Sequence, residues 1–110
     1  MGRAKVNEVL GHPSTKLDDV VHQRVRLGIL AILSEADRVE FTYIRDRLAV
    51  TDGNLNRHLQ VLAEAGFARI EKRSQGRSRT WILATREGRA ALGDHLARLQ
   101  QIIDATKELS

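Results

Sequence analysis

Side chains that can hydrogen-bond to the edges of DNA bases are concentrated in one stretch of the chain, TDGNLNRHLQ at residues 51–60. Arginine can pair bidentately with guanine across the major groove, and asparagine or glutamine can pair with adenine. In a helix the leucines of this stretch would share one face and the polar residues would lie opposite or beside them. Such a surface either reads bases or is simply solvated. The candidate DNA-binding residues of this helix are Thr51, Asp52, Gly53, Asn54, Asn56, Arg57 and Gln60.

The residues around this stretch predict a helix-turn-helix. Thr51 is a favourable N-cap, and Asp52 places a negative charge in the first turn, where the helix dipole favours it. Gly66 is the residue type that commonly follows a helix C-terminus. A shorter helix with apolar residues spaced four apart precedes the turn. We therefore expect a recognition helix over residues 51–65 that enters the major groove.

Positive charge is concentrated in the segment that follows, residues 69–79. It holds five basic residues and one acid, so its net charge equals the +4 of the whole chain. Two strand-like runs flank Gln75-Gly76-Arg77, which predicts a β-hairpin with Arg77 at its tip. A basic hairpin of this kind either contacts phosphate and the minor groove or is merely soluble. The candidate DNA contacts of this wing, residues 74–79 and the strand before it, are Lys72, Arg73, Arg77 and Arg79.

Further elements are expected on both sides of this pair. Residues 1–14 would form an N-terminal arm, and Thr15 would cap a first helix over residues 16–36. From Leu27 on, this helix is apolar nearly all round. A short strand is expected at residues 39–41. The DNA-binding domain would thus cover residues 15–84.

A long C-terminal helix is expected over residues 85–110, capped by Thr85 and outrunning a small core. Its apolar residues recur at heptad-like spacing, which favours a symmetric dimer seam over internal packing. The candidate dimerisation residues are Leu92, Leu96, Leu99 and Ile103.

Composition excludes several classes of function. The chain of 110 residues contains no cysteine, so disulfides, thiolate catalysis and cysteine-ligated zinc are excluded. The four histidines are scattered and form no ligand pair, so we expect neither a metal nor a cofactor. No residue pattern indicates a catalytic site, and the protein is not expected to be an enzyme. There is no apolar run long enough to cross a membrane and no secretory signal, so we expect a cytoplasmic protein without membrane contact.

Two runs, NLNRHLQVLAEAGFARIEKR and GRSRTWILATREGRAAL, carry a resemblance to a known family. The chain resembles the MarR and ArsR-like winged helix-turn-helix transcriptional regulators, which show a similar S-R-H-L-x-x-L-x-x-A-G-L-V run, a basic Gly-Arg wing and then L-T-x-x-G-R. It is most similar to small stand-alone members with R-L-x-I-L in the first helix and T-D-G-N-L at the start of the recognition helix. The resemblance covers about residues 17–96. The cysteine pairs of the ArsR metal sensors are absent, and the chain is shorter than a typical MarR protein.

Together these observations predict a mainly α fold with a small β-hairpin (α+β), a winged helix-turn-helix with a long C-terminal dimerisation helix. The predicted function is a homodimeric, sequence-specific regulator of transcription, a repressor that binds an inverted repeat in double-stranded DNA. The alternative is a winged-helix module that binds a protein partner and does not read DNA sequence. The operator, the regulated genes and any effector lie beyond the sequence.

Overall fold

The computed structural model describes residues 12–74 and 76–109. Within them a short 3-10 helix precedes four α-helices and three strands, which confirms the predicted winged-helix α+β class. No helix in this part of the chain combines the length and the apolar character needed to span a bilayer. The elements in chain order are the 3-10 helix Pro13–Lys16, α1 Arg24–Leu33, β1 Val39–Glu40, α2 Phe41–Leu48, α3 Asp52–Glu64, β2 Ala68–Arg73, β3 Arg79–Ala84 and α4 Arg86–Leu109.

The first helix is shorter than predicted, because local side chains compete for the backbone. Asp18 accepts hydrogen bonds from the amides of Val20 and Val21 through Oδ1, at 2.8 and 3.4 Å, and this turn replaces the expected first helical turns. The prediction that Thr15 caps the helix was wrong, since its hydroxyl donates to the carbonyl of His12. Helix α1 instead starts after Gln23, whose side chain accepts from the amide of Arg26. The predicted arm lies almost wholly outside the described residues.

The helix-turn-helix forms as expected. Thr51 caps α3 by accepting a hydrogen bond from the amide of Asn54 at 3.1 Å. Helix α2 ends at a left-handed residue, Ala49 (φ 55°), and Gly66 (φ 81°) follows α3 in the same conformation. Phe41 was predicted to be in the strand but begins α2, because β1 contains only two residues.

The three strands form one antiparallel sheet in the order β1-β3-β2. In the β2–β3 hairpin Ile70 pairs with Ile82, and Arg73 pairs with Arg79 at the end nearest the tip. Because side chains alternate across a strand, Ile70 and Ile82 lie on the face that packs toward the helices, whereas the far end of the hairpin is polar and exposed. The hairpin therefore projects as a wing beside α3.

The core is aliphatic, as the low aromatic content predicts. Apolar faces of α1, α2 and α3 meet the sheet and the start of α4 in a single cluster. Its largest fully buried side chains are Ile29, Leu30, Leu33, Ile44, Leu55, Leu59, Leu62, Ile82 and Val21, and His95 is a buried polar side chain outside this cluster.

Helix α4 divides the predicted dimer stripe. Leu92 is only 7% exposed and belongs to the core of its own chain, so it is not available to a partner. Leu96 and Ile103 are 51% and 47% exposed, and Leu99 is half-buried. A helix of 24 residues is about 36 Å long, and from Gln100 to Glu108 its side chains are exposed except for that of Ile102, so the end of the helix lies outside the core. The stripe that a partner could cover therefore begins at Leu96.

Candidate nucleic-acid interface

The polar face of α3 is open to solvent. Gly53, Asn56, Arg57 and Gln60 are exposed, and Thr51 and Asp52 are exposed at the helix start. The opposite face is anchored by three fully buried leucines, which fixes how the helix is rotated about its own axis. Within residues 12–74 and 76–109, the Arg57 side chain has no hydrogen bond or ion pair. The structure thus brings these candidate side chains onto one accessible surface.

Asn54 is placed apart from the other candidates. Its side chain is half-buried, and its Oδ1 is shielded from solvent with no hydrogen-bond partner in the described part of the chain. Because a helix turns about 100° per residue, Asn54 lies well around the helix from Asn56. Its backbone amide donates to the Thr51 cap. Asn54 therefore supports the helix start, and its side chain is less accessible than that of Asn56.

A groove of about 210 Å³ joins α3 to the wing. Asp52, Asn56 and Gln60 recur every four residues on the helix side of the groove, and Lys72 and Thr80 face them from the hairpin. Phe41 and Ile70 also line the groove. Tertiary structure thus assembles candidates from two separate motifs into one polar surface.

The wing cations are partly paired with acids. Arg79 Nη1 lies 3.4 Å from Glu40 Oε1, and Glu71 lies 3.5 Å from Arg73 and 3.7 Å from Arg69. The Arg79–Glu40 pair links residues far apart in the sequence and was not predicted. Exposed pairs of this kind contribute little free energy, so a DNA phosphate can replace the carboxylate.

Arg77 differs from these arginines. It is exposed at the hairpin tip beside Gly76 (φ 72°) and forms no ion pair within the described ranges. A cation without an acidic partner at the end of a projecting hairpin keeps its full attraction for phosphate. Of the wing arginines that the structure describes, Arg77 is therefore the most available.

Arg45 of α2 is a further charged residue at the interface, and it is not among the residues predicted from the sequence. Its Nε lies 2.9 Å from Asp46 Oδ1, and its Nη1 lies 3.0 Å from Asp52 Oδ1 at the start of α3. The hydrogen bonds to Asp46 and then to Asp52 raise the pKa of Arg45 above its ordinary value. The pairing partly neutralises Asp52, a negative charge that would otherwise face DNA phosphates.

Two arginines at the start of α1 add positive charge next to the recognition helix. Arg26 Nη1 lies 3.0 Å from His58 Nδ1 on α3. Burial lowers the pKa of His58, and Arg26, Arg57 and Arg24 lower it further in that order. In the sequence, Arg26 stands out only as the first residue of the R-L-x-I-L run in the first helix, and that run gives no indication of a partner on α3.

No group of three or more histidine or acidic side chains is arranged to bind a metal in the described part of the chain. The interface consists of hydrogen-bonding groups, cations and acids such as Asp52 and Glu71, which are paired with arginines.

Comparison with known families agrees with this geometry. A model described as a winged helix DNA-binding domain matches residues 25–103, which include the helix-turn-helix, the wing and most of α4. The chain belongs to this winged helix DNA-binding domain family. The predicted resemblance is therefore confirmed at the level of this winged-helix family, which is a family of DNA-binding domains and not of enzymes.

The chain is also similar to individual proteins, one by sequence and two by structure. An uncharacterized protein of Methanocaldococcus jannaschii is 39% identical over 79 residues, covering 71% of this chain and 86% of that protein. A transcriptional regulator homologue from Pyrococcus horikoshii OT3 superposes with a TM-score of 0.80 at 29% identity, over 90% of this winged-helix chain and 97% of the other. The M. tuberculosis regulator MOSR, solved in complex with DNA, shares the fold with a TM-score of 0.67 at 20% identity, over 97% and 77% of the two chains.

Proposed function

We propose that this winged-helix protein is a cytoplasmic homodimer that binds an inverted repeat in double-stranded DNA. It would repress transcription by occupying a promoter. The observation that carries the proposal is the groove where Asp52, Asn56 and Gln60 face Lys72 of the wing. Helix α3 would lie in the major groove, and Arg57 would read a base from its exposed face. The wing would follow the backbone, with Arg77 at the adjacent minor groove.

The dimer is proposed from the exposed stripe on α4. Leu96 and Ile103 lie seven residues apart on one side of the helix, and each is about half exposed. Two copies of α4 packed side by side would cover both residues and Leu99. The twofold axis would place the two α3 helices roughly 34–36 Å apart, one turn of DNA, so that both enter major grooves on the same side of the duplex.

Charge favours DNA over a protein partner. The polar face of α3 lies beside the exposed Arg24 of α1 and the exposed arginines of the wing, whereas a protein-binding face would be expected to expose a contiguous apolar patch. Phosphate contacts release counterions from DNA, so DNA binding must weaken steeply as the salt concentration rises.

A salt titration of binding to random-sequence duplex tests the proposal first. The logarithm of the binding constant is expected to fall linearly with the logarithm of the salt concentration, with a slope that corresponds to several phosphate contacts. The absence of a slope would support the protein-binding alternative. Selection of bound duplexes from a random pool should then enrich an inverted repeat. Enrichment of no motif despite a steep slope would refute sequence-specific recognition while leaving DNA binding intact.

A further inference from the structure

We propose that Arg26 is a positioning residue for DNA recognition, which holds α3 in place through His58 and can do so only while His58 is neutral. The inference rests on the proposed function, because it concerns how precisely α3 is presented to DNA. Neither residue is among the DNA-reading candidates.

One guanidinium connects three parts of the chain. Arg26 Nε donates to the carbonyl of Val20 at 2.6 Å, and Nη2 donates to the carbonyl of Asp19 at 3.3 Å. Nη1 lies 3.0 Å from Nδ1 of His58. Helix α1 therefore contacts both the preceding segment and the recognition helix through a single planar group, whose donors have a fixed relative geometry.

The chemistry of this contact determines the protonation state of His58. An arginine has only N–H donors, so Nδ1 of His58 must be the acceptor and its proton must be on Nε2. A second proton, added at Nδ1, would remove the acceptor and place two cations at hydrogen-bond distance. Protonation of His58 must therefore break the contact with Arg26.

The surroundings of His58 favour the neutral form. The charged groups that face it are Arg24 and Arg26 from α1 and Arg57 from its own helix, and together with burial they lower its pKa below the ordinary value. The segment before α1 contributes Asp19, which presents its carbonyl to the same guanidinium. On β2, packed against another side of α3, Lys72 lies beside Asn56 and Gln60, roughly 200° around the helix from His58.

The position of α3 matters more for base contacts than for phosphate contacts. Arg57 directly precedes His58, so a small shift of α3 moves a candidate reading side chain by a comparable distance. Bidentate base pairing depends on exact geometry, whereas a phosphate accepts a cation from many directions. Loss of the Arg26–His58 contact should therefore weaken binding to a selected duplex more than binding to a random one.

The test compares the wild type with Arg26→Met and His58→Asn on a duplex selected from a random pool and on a random duplex, at about pH 7.5 and about pH 4.5. The lower value lies well below the ordinary histidine pKa, because the pKa of His58 is lowered. Asparagine retains an acceptor near the position of Nδ1 and does not titrate. At the higher pH, Arg26→Met should bind the selected duplex about tenfold more weakly than the wild type, and the random duplex almost equally well. At the lower pH, the affinity of the wild type for the selected duplex should be about tenfold lower than that of His58→Asn.

Circular dichroism at both pH values checks that each protein is folded, and the comparison of wild type with His58→Asn does not depend on the folding of Arg26→Met. Equal pH dependence of these two proteins, or tighter wild-type binding at low pH, would overturn the proposal. If Arg26→Met lowers the affinity for both duplexes equally, Arg26 is only a structural residue, and the proposal is overturned as well. A wild type that binds neither duplex at either pH would instead refute the proposed function itself.

Discussion

Nδ1 of His22 lies 3.4 Å from Nε2 of His95, and this contact joins the segment before α1 to the C-terminal helix. The two rings are tilted, with centroids 5.2 Å apart. His95 is only 2% exposed, and its Nδ1 is buried with no partner in the described part of the chain. Burial lowers the pKa of His95, and His22 lowers it further against the opposing effect of Asp18.

We predict that the protein loses stability when the pH falls below the ordinary histidine value of 6.5. Because folding lowers the pKa of His95, the unfolded chain binds more protons than the folded chain in this window. The free energy of unfolding must then fall as the pH falls, and the contribution is complete above the unfolded pKa. Urea denaturation across this range measures the effect. His95→Gln should show a shallower pH dependence, and an unchanged dependence would contradict the assignment to His95.

We predict that Gly88→Ala is strongly destabilising. A β-carbon at Gly88 would overlap the backbone carbonyl of Phe67, and the first turn of α4 is also tied there by Thr85, which donates to the Gly66 carbonyl at 2.6 Å. The cost should be about 1–3 kcal/mol or more, because backbone cannot move aside as a side chain can. Gly93→Ala in the same helix meets nothing within 4 Å and should stabilise by about 0.5–1 kcal/mol. Thermal unfolding of both variants checks the contrast, and equal effects would refute it.

Arg57→Ala should remove discrimination between the selected duplex and random DNA while leaving the fold intact. The side chain is exposed, opposite the buried leucines of α3, so its loss creates no cavity. A lost base contact costs roughly 1–3 kcal/mol of discrimination. Competition binding measures the change, with the exposed Arg89→Ala on α4 as a control for loss of one charge. Discrimination equal to that of the control would show that Arg57 does not read bases.

Arg77→Ala should weaken binding to all duplexes to a similar extent. The arginine at the wing tip has no acidic partner within the described ranges, so it is expected to contact phosphate or the narrow minor groove. Its removal should reduce the salt slope by about one unit, the contribution of one phosphate contact. Titration of salt against random duplex measures the slope, again with Arg89→Ala for comparison. A slope like that of the wild type would place the wing tip away from DNA.

Leu96→Glu combined with Ile103→Glu should give a folded monomer that binds DNA far more weakly than the wild type. Both side chains are about half exposed, so the substitutions leave the core of each chain unchanged. Two buried charges in a helix–helix seam would prevent association. Gln101→Glu with Ala105→Glu adds charge on the opposite side of α4 and should remain dimeric. Sedimentation measures the oligomeric state of both double variants and of the wild type. A wild type that sediments as a monomer would disprove the dimer.

The sequence by itself determined the local parts of this fold. The Thr51 cap, the left-handed Gly66 and the alternating strands beside Gly76 depend on residues only a few positions apart, and the structure confirms each of them. The leucine spacing of α3 was equally decisive, because one apolar stripe specifies which face of a helix must be buried.

Only the tertiary structure decided the contacts between elements that are distant in the chain. Leu92 and Leu96 have the same spacing pattern in the sequence, yet Leu92 lies where α4 still covers the core and Leu96 lies where the helix has passed it. Likewise the Arg79–Glu40 and Arg26–His58 contacts join residues that no local pattern relates. Periodicity specifies the direction in which a side chain points from the axis of its helix. What lies in that direction depends on how the whole chain packs.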